Sequence, residues 1–277
     1  MIMSETYRFT LGAFNCIVIN DGYIDNIPAS SFFEGAALGE LQAAFVQYNI
    51  TGPNLRIPTA VLFIDTGAHR VLIDTGGGPD TLPATGHLLA GLRAEGISPE
   101  SIDVVALSHG HWDHIGGNTD AHGQPAFPKA RYVMARAEYD HWITLADLAR
   151  FPIIARNLNG IRAALDLIEA DAVIVPGIQA LPTPGHTAHH TSFVVTSQGE
   201  TLYCLMDTVD HPLHFEHIDW TPDWDELPLE SAESRRILFE RASREQARVH
   251  GFHLPFPGLG RLTEDRPDTW RYEPVGK

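Results

Sequence analysis

Short apolar runs alternate along the chain with clusters of turn-forming residues, and the runs fall into two similar sets. Phe9 to Ile19 (FTLGAFNCIVI) is rich in β-branched and aromatic residues and ends at Asn20-Asp21-Gly22, which predicts a strand closed by a turn. Residues 59–64 (TAVLFI) and 70–73 (RVLI) flank Asp65-Thr66-Gly67 and predict a hairpin. Ile102 to Leu107 (IDVVAL) suits a buried strand that runs straight into Ser108-His109-Gly110-His111. Arg131 to Met134 and Ala172 to Val175 read as further strands. Helices are expected over 80–96, where Pro83 and Gly86 weaken the first part, and over 135–149, which Pro152 halts. Two more are expected over 161–169 and 229–247, the last being the most polar, with Glu240 and Arg244 one turn apart.

A weak internal repeat links the two sets. Residues 60–76 (AVLFIDTGAHRVLIDTG) and 192–208 (SFVVTSQGETLYCLMDT) each read as strand, glycine-containing turn and second strand ending in Asp-Thr, at Asp74-Thr75 and Asp207-Thr208. Two such hairpins, each with helices elsewhere in its half, predict a layered α/β domain built from two related halves. No linker or charged run separates them, so one domain is expected.

Composition narrows the class of partner. The 19 basic and 35 acidic residues leave a net charge of −16, with a pI near 5.2. That balance argues against nucleic acid, whose phosphates demand a basic face. Two cysteines, Cys16 and Cys204, make no disulfide framework and suit a reducing compartment. The N-terminus has no basic region leading into an apolar one, and the longest stretch free of Asp, Glu, Lys and Arg, 172–199, is broken by three prolines. The expectation is a soluble, cytoplasmic protein that does not engage a membrane.

Histidine is the unusual entry, with fifteen in an acidic chain. Three lie in Ser108-His109-Gly110-His111-Trp112-Asp113-His114-Ile115-Gly116-Gly117. His109 and His111, two apart, can point the same way on an extended backbone. Asp113 and His114 follow within a turn, and the set supplies nitrogen and oxygen donors of the kind zinc takes. An H-x-H-x-D-H run arises by chance in roughly three chains per thousand of this length, so the match is specific. Further pieces follow at Thr183-Pro184-Gly185-His186-Thr187, Met206-Asp207-Thr208 and Gly251-Phe252-His253-Leu254.

With these pieces in this order, residues 59–260 resemble the metallo-β-lactamase superfamily of binuclear metallohydrolases. The resemblance implies an α/β fold, a four-layer αββα sandwich with two related halves. It implies a single domain over 1–277, in which an N-terminal extension of about 1–58 covers the pocket. It implies two divalent metal ions, zinc first, with Mn, Co or Fe accepted by the same ligands. His109, His111 and His186 would hold the first, Asp113, His114 and His253 the second, and Asp207 would bridge them. Asp74 would orient a ligand histidine. The implied chemistry is attack by a metal-bridging hydroxide, with Asp113 available to protonate the leaving group.

Departures from individual branches narrow the resemblance further. Asp207 stands where serum-type β-lactamases carry Cys, and His111 where flavodiiron proteins carry Glu. Gly251 to Gly260 (GFHLPFPGLG) resembles the methyl parathion hydrolase branch, and the N-terminal segment resembles the substrate-covering segment of lactonases. Phe32, Phe33, Phe45, Trp142, Phe215 and Trp220 are expected to line an apolar pocket. Acyl-homoserine lactonases carry Tyr three residues after the bridging aspartate. Asp210 stands there in this chain, followed by His211, and either is a candidate substitute.

A lactonase acting on a small-molecule substrate is therefore expected, with an organophosphate hydrolase as the alternative. From another class, a mononuclear iron thiol or persulfide dioxygenase is the alternative, and the complete second ligand set argues against it. A homodimer is the expected assembly. His189 and His190 are expected in the loop beside the ligands. His211, His214 and His217 are expected in a structured loop near the pocket.

Overall fold

In the computed structural model, which describes residues 5–79, 81–144, 150–169 and 171–275, the first apolar run folds back on itself. It forms β1 (Thr6–Leu11) and β2 (Phe14–Pro28), joined at Gly12-Ala13. The expected turn at Asn20-Asp21-Gly22 is instead a bulge within β2: the register against the next strand shifts there, and the Asn20 side-chain oxygen accepts the Gly22 N–H. After a 3₁₀ turn at Ala29–Phe32 and α1 (Leu38–Gln47), the predicted hairpin follows as β3 (Asn54–Asp65) and β4 (Arg70–Ile73).

Helix α2 (Leu88–Ala94) then crosses to β5 (Val104–Ala106), and α3 (Trp112–Ile115) precedes β6 (Arg131–Ala135) and α4 (Arg136–Thr144). The expected helix over 80–96 thus shrinks to its second half, as Pro83 and Gly86 require, and its first residue lies outside the described residues. The helix expected over 135–149 is described as far as Thr144. The segment 161–169 is helical only in its first part, where a 3₁₀ turn, Arg162–Ala164, continues from the preceding helix. Ile161 ends α5 (Pro152–Ile161), and Leu165–Ile168 is strand β7, because its alternating leucines pair with the open edge of β6.

The second half contains β8 (Val173–Val175), β9 (Ile178–Pro182), β10 (Thr191–Ser197), β11 (Glu200–Cys204) and α6 (Leu213–Glu216). Helix α7 (Pro228–Arg244), β12 (Arg248–His250), β13 (Leu259–Arg266) and β14 (Thr269–Pro274) complete it.

Among the described residues two seven-stranded sheets result, one from each half, with strands in sequential order in both. The repeat is visible in the topology. In each half the third and fourth strands form the hairpin (β3–β4, β10–β11), and the fourth pairs parallel with the fifth after a helical crossover (β4–β5 through α2, β11–β12 through α7). The main core joins both sheets: Val18, Leu62, Leu72 and Val105 of the first meet Phe193, Val195 and Leu202 of the second. Leu238, Phe239 and Ala242 of α7 cover the outer face of the second sheet on Tyr203, Val249 and Trp270. This is the αββα sandwich. Residues 6–28 belong to the first sheet, so it is the segment around α1 that lies outside the sandwich. A third cluster, Phe32, Phe33, Ala44, Ile57, Leu213 and Trp220, fastens it down.

Parallel pairing of β4 with β5 and of β11 with β12 sets their carboxyl ends side by side, and the loops leaving them converge. Cys16 and Cys204 are both free and buried, and burial pushes the Cys16 thiol up to about 12. Among the described residues, no helix is long and apolar enough to cross a membrane.

Leu72 is wholly buried between the sheets, whereas Leu229 on α7 is 88% exposed. Leu72→Ala is expected to lower unfolding free energy by about 2–5 kcal/mol, and Leu229→Ala to change it by less than about 0.5 kcal/mol. Denaturant melts of the two variants check the placement of the core.

Candidate metal centre

The strand-end loops deliver seven donor side chains to one place. β4 ends at Asp74, whose backbone takes a left-handed conformation (φ 60°) that turns its carboxylate inward. That carboxylate accepts the Ser108 N–H (2.8 Å), the Ser108 hydroxyl (2.7 Å) and His114 Nδ1–H (2.7 Å). One buried group thereby fixes both ends of the His109–His114 loop. Gly185 (φ 144°) lets the loop after β9 pass against α7, where a Cβ would stand 2.2 Å from the Ser231 Cα. His253 follows β12 on the loop that leads to β13.

Outward hydrogen bonds decide which ring nitrogen faces inward. The Ser108 hydroxyl donates to Asp74, so it can only accept from His109 Nδ1 (2.9 Å), which leaves the His109 Nε2 lone pair facing in. His114 Nδ1 is committed to Asp74. His186 Nδ1 donates to Asp225 Oδ1 (3.0 Å), and His253 Nδ1 to the Pro58 carbonyl (2.8 Å). Four Nε2 atoms are thus aimed at a common space.

Within that space the donors crowd together. His109 Nε2 lies 3.0 Å from His111 Nδ1, which lies 2.8 Å from His186 Nε2. Asp207 Oδ2 is 3.3 Å from His186 Nε2 and 3.4 Å from His253 Nε2, and Asp113 Oδ2 is 3.3 Å from His253 Nε2. His114 Nε2 stands 3.0 Å from Asp207 Oδ1, yet neither atom is aligned for a hydrogen bond. The ligand atoms of His109, His111 and His186 lie within 4.8 Å of one another, as do those of Asp113, His114 and His253. Asp207 joins a third group with His109 and His114, and a fourth with Asp210 and His253.

Facing lone pairs and two buried carboxylates repel unless positive charge sits among them. The electrostatics express that demand. Burial lowers every imidazole here, and burial with His186 alongside takes His111 to about 3. Against burial, Asp207 and its neighbouring carboxylates raise His114 to about 10 and His186 to about 9. Burial raises the Asp207 carboxyl, but His114, His253 and His186 outweigh it and hold that carboxyl well below the usual range. Protons and divalent cations compete for such sites, and the donor set fits two cations.

Three supporting groups had no signal in the sequence. Asp225, in the loop before α7, holds His186. Arg235 of α7, wholly buried, lies 3.6 Å from Asp225 and donates to the carbonyls of Thr208 (2.6 Å) and Trp220 (2.7 Å). His190, expected near the ligands, accepts the Asp207 N–H (3.3 Å) and bonds to the Thr183 hydroxyl. The third group without a signal in the sequence, after Asp225 and Arg235, is Glu138 of α4, also wholly buried.

A cavity of about 290 Å³ opens onto the cluster. Ile24, Ile27, Ile57, Trp112 and Trp224 form its apolar wall, and His111, Asp113, His186, Asp207, Asp210 and His253 its polar floor. None of the six aromatics expected there lines it. Phe32, Phe33 and Trp220 are buried in the cluster beneath α1, and Phe45 packs beside them. Phe215 lies under α7, and Trp142 packs edge-on to His111 at 5.5 Å. Large rings are worth most when wholly enclosed, and those of the cluster beneath α1 brace the wall: Phe32 meets Trp224 edge-to-face at 4.8 Å. Asp210 lines the cavity and accepts the Trp224 indole N–H (3.3 Å). His211 does not line it, and packs on Phe33 and Tyr48. His214 donates to the Phe32 carbonyl and accepts the Asp210 N–H. A roomier cleft of about 560 Å³ lies elsewhere, lined by Glu200, Glu245, Arg248 and Arg261, and holds none of these donors.

The metallo-beta-lactamase superfamily model matches residues 55–204 of this chain. The chain belongs to that superfamily. Among relatives of this superfamily member, an N-acyl homoserine lactonase of Bacillus cereus is 28% identical over 228 residues, covering 75% of this chain and 83% of that protein. Among solved structures, AidC, a dizinc quorum-quenching lactonase in complex with the product N-hexanoyl-L-homoserine, superposes with a TM-score of 0.91. It is 26% identical and covers 99% of each chain. AbOPH, a hydrolase of the same superfamily, also reaches 0.91 at 20% identity, covering 100% of this chain and 99% of that one, a likeness of fold.

Asp225→Ala removes the acceptor that fixes His186. Chelator competition is expected to show one divalent ion held about 10–100-fold more weakly. Unchanged affinity for both ions would contradict the role given to Asp225.

Proposed function

We propose that the protein is a binuclear metal-dependent lactonase that opens N-acyl homoserine lactones. The observation that carries this reading is the seven-donor cluster on the floor of a small cavity whose opposite wall is apolar. A relative that is an N-acyl homoserine lactonase and a dizinc lactonase of nearly identical fold support it.

In this reading His109, His111 and His186 would hold one cation and Asp113, His114 and His253 the other, with Asp207 available to either set. When bound, the two cations polarise the ester carbonyl and lower the pKa of water toward neutrality. Zinc is the cation we assign.

The chain's own residues supply the rest. Asp74, Asp225, Ser108 and the Pro58 carbonyl keep the inward lone pairs fixed, so little reorganisation accompanies the reaction. Ile24, Ile27 and Ile57, from β2 and β3, shelter the acyl chain and exclude water from it. A cavity near the lower limit for small-ligand sites suits a five-membered lactone with a short acyl chain. Water adds to the ring carbonyl, the ring C–O bond breaks, and the leaving alkoxide takes up a proton to give a hydroxy acid. Asp113, on the cavity floor, is the group we assign to take the proton that the attacking water gives up and pass it to that alkoxide. Of the two candidates for the helper role, Asp210 has the position, since its carboxylate faces the cavity and the indole of Trp224 orients it.

Purified protein loaded with zinc is expected to turn over N-hexanoyl-homoserine lactone at least about a hundredfold more efficiently than a paraoxon-like triester or an aryl ester, a gap of roughly 2.7 kcal/mol. Strong triester turnover without lactone turnover would replace this reading with that of an organophosphate hydrolase. Iron-dependent oxygen uptake with glutathione persulfide would replace it with that of a dioxygenase. His109→Ala and Asp207→Ala are each expected to lower kcat/KM by roughly a thousandfold, because several kcal/mol of transition-state stabilisation depend on the cations. Full activity in either variant would refute the assignment.

A further inference from the structure

We infer that Glu138 is a positioning residue that locks together the two loops carrying His109, His111 and His186. It lies on α4, wholly buried, and does not line the cavity. Its carboxylate makes three hydrogen bonds. Oε1 accepts the Gly110 N–H (3.0 Å) and the Trp142 indole N–H (2.7 Å), and Oε2 accepts the Thr187 hydroxyl (2.8 Å).

The addresses of these donors give the inference its force. Gly110 sits between His109 and His111 on the loop after β5, in the first half of the chain. Thr187 follows His186 on the loop after β9, in the second half. One carboxylate therefore spans the two halves and fixes the separation of the three imidazoles, whose inward nitrogens are 2.8–3.0 Å apart in sequence. Trp142 completes the clamp, since its indole is held by Glu138 and its edge meets His111. The clamp also explains the residue between the two histidines. A Cβ on Gly110 would stand 2.2 Å from Trp142 Nε1, so only glycine admits the indole.

A buried carboxylate is costly unless its donors are in place, and here all three are protein groups. Their geometry is correspondingly restricted. Because outer contacts of metal ligands typically govern 10–100-fold in metal affinity, the clamp has consequences for one cation and not the other. The inference rests on the cation-holding part of the reading above and is independent of the substrate.

The test uses the full-length protein, stripped of metal and titrated with Co²⁺, read by visible absorption and by binding stoichiometry. Wild type is expected to bind two ions. Glu138→Ala is expected to hold one of them 10–100-fold more weakly, with an altered absorption band, while the other stays within about threefold. Glu138→Gln is expected to restore most of the loss. Its Oε1 still accepts from Gly110 and Trp142, and the Thr187 hydroxyl can reverse to accept from Nε2. Thr187→Val is expected to weaken the same ion, and adding it to Glu138→Ala to cost little more, because both cut one linkage. Should Glu138→Ala fail to fold, Thr187→Val and Glu138→Gln carry the test alone. Unchanged cobalt binding in Glu138→Ala or Thr187→Val would overturn the inference. So would equal weakening of both ions together with a lowered melting temperature of the metal-free protein. Failure of wild type to bind two ions would instead overturn the cation assignment itself.

Discussion

Everything in the centre depends on one constraint: lone pairs that face one another must be held there from outside. His109, His114, His186 and His253 each give their outward N–H to a fixed acceptor, respectively Ser108, Asp74, Asp225 and the Pro58 carbonyl. The inward Nε2 atoms, with Asp113 and Asp207, then form a buried region that only positive charge relieves. In an apolar interior such an arrangement survives because each outer bond is itself made by a well-anchored group. Asp74 is anchored at a strand end, Asp225 stands beside the buried Arg235, and Pro58 lies within β3.

The fold supplies these anchors through its repeat. Each half places a strand hairpin followed by a parallel strand, and an Asp-Thr pair follows each hairpin, at once after β4 and three residues after β11. The two aspartates have diverged in use: Asp74 stands behind the ligands, and Asp207 stands among them. The repeat thus carries an outer and an inner carboxylate on different local structures, Asp74 left-handed directly after β4 and Asp207 in the 3₁₀ turn Met206–Thr208 beyond β11, and the sheets bring both to the same end of the sandwich.

Much of the centre was legible in the sequence because its spacing is local. His109, His111, Asp113 and His114 lie within six residues after a buried strand, so backbone geometry alone brings them together. His186, Asp207 and His253 became legible through resemblance to a family whose motifs occur in this order. Glu138, Asp225 and Arg235 were not legible, since each is a single charged residue brought in by tertiary packing, and nothing nearby in the chain marks it. The pocket wall was misjudged for a related reason. Six large aromatics were expected to face the substrate, but Phe32, Phe33 and Trp220 are buried in a cluster that braces the wall with Phe45 packed against it, Phe215 lies under α7 and Trp142 lies in the main core. The wall itself is built largely from isoleucines, Ile57 on β3 and Ile24 and Ile27 on β2, between which the register against β3 shifts a second time. The helix expected over 161–169 stops after Ala164, because in Leu165–Ile168 pairing with an open sheet edge overrode local propensity.

The central claim is that the seven donors hold two divalent cations with Asp207 between them. Crystals of the zinc-loaded protein, measured on both sides of the zinc absorption edge, test it most directly. The account predicts two anomalous peaks per chain, one against His109, His111 and His186, the other against Asp113, His114 and His253, with Asp207 touching both. A single peak, or peaks away from these residues, would contradict it.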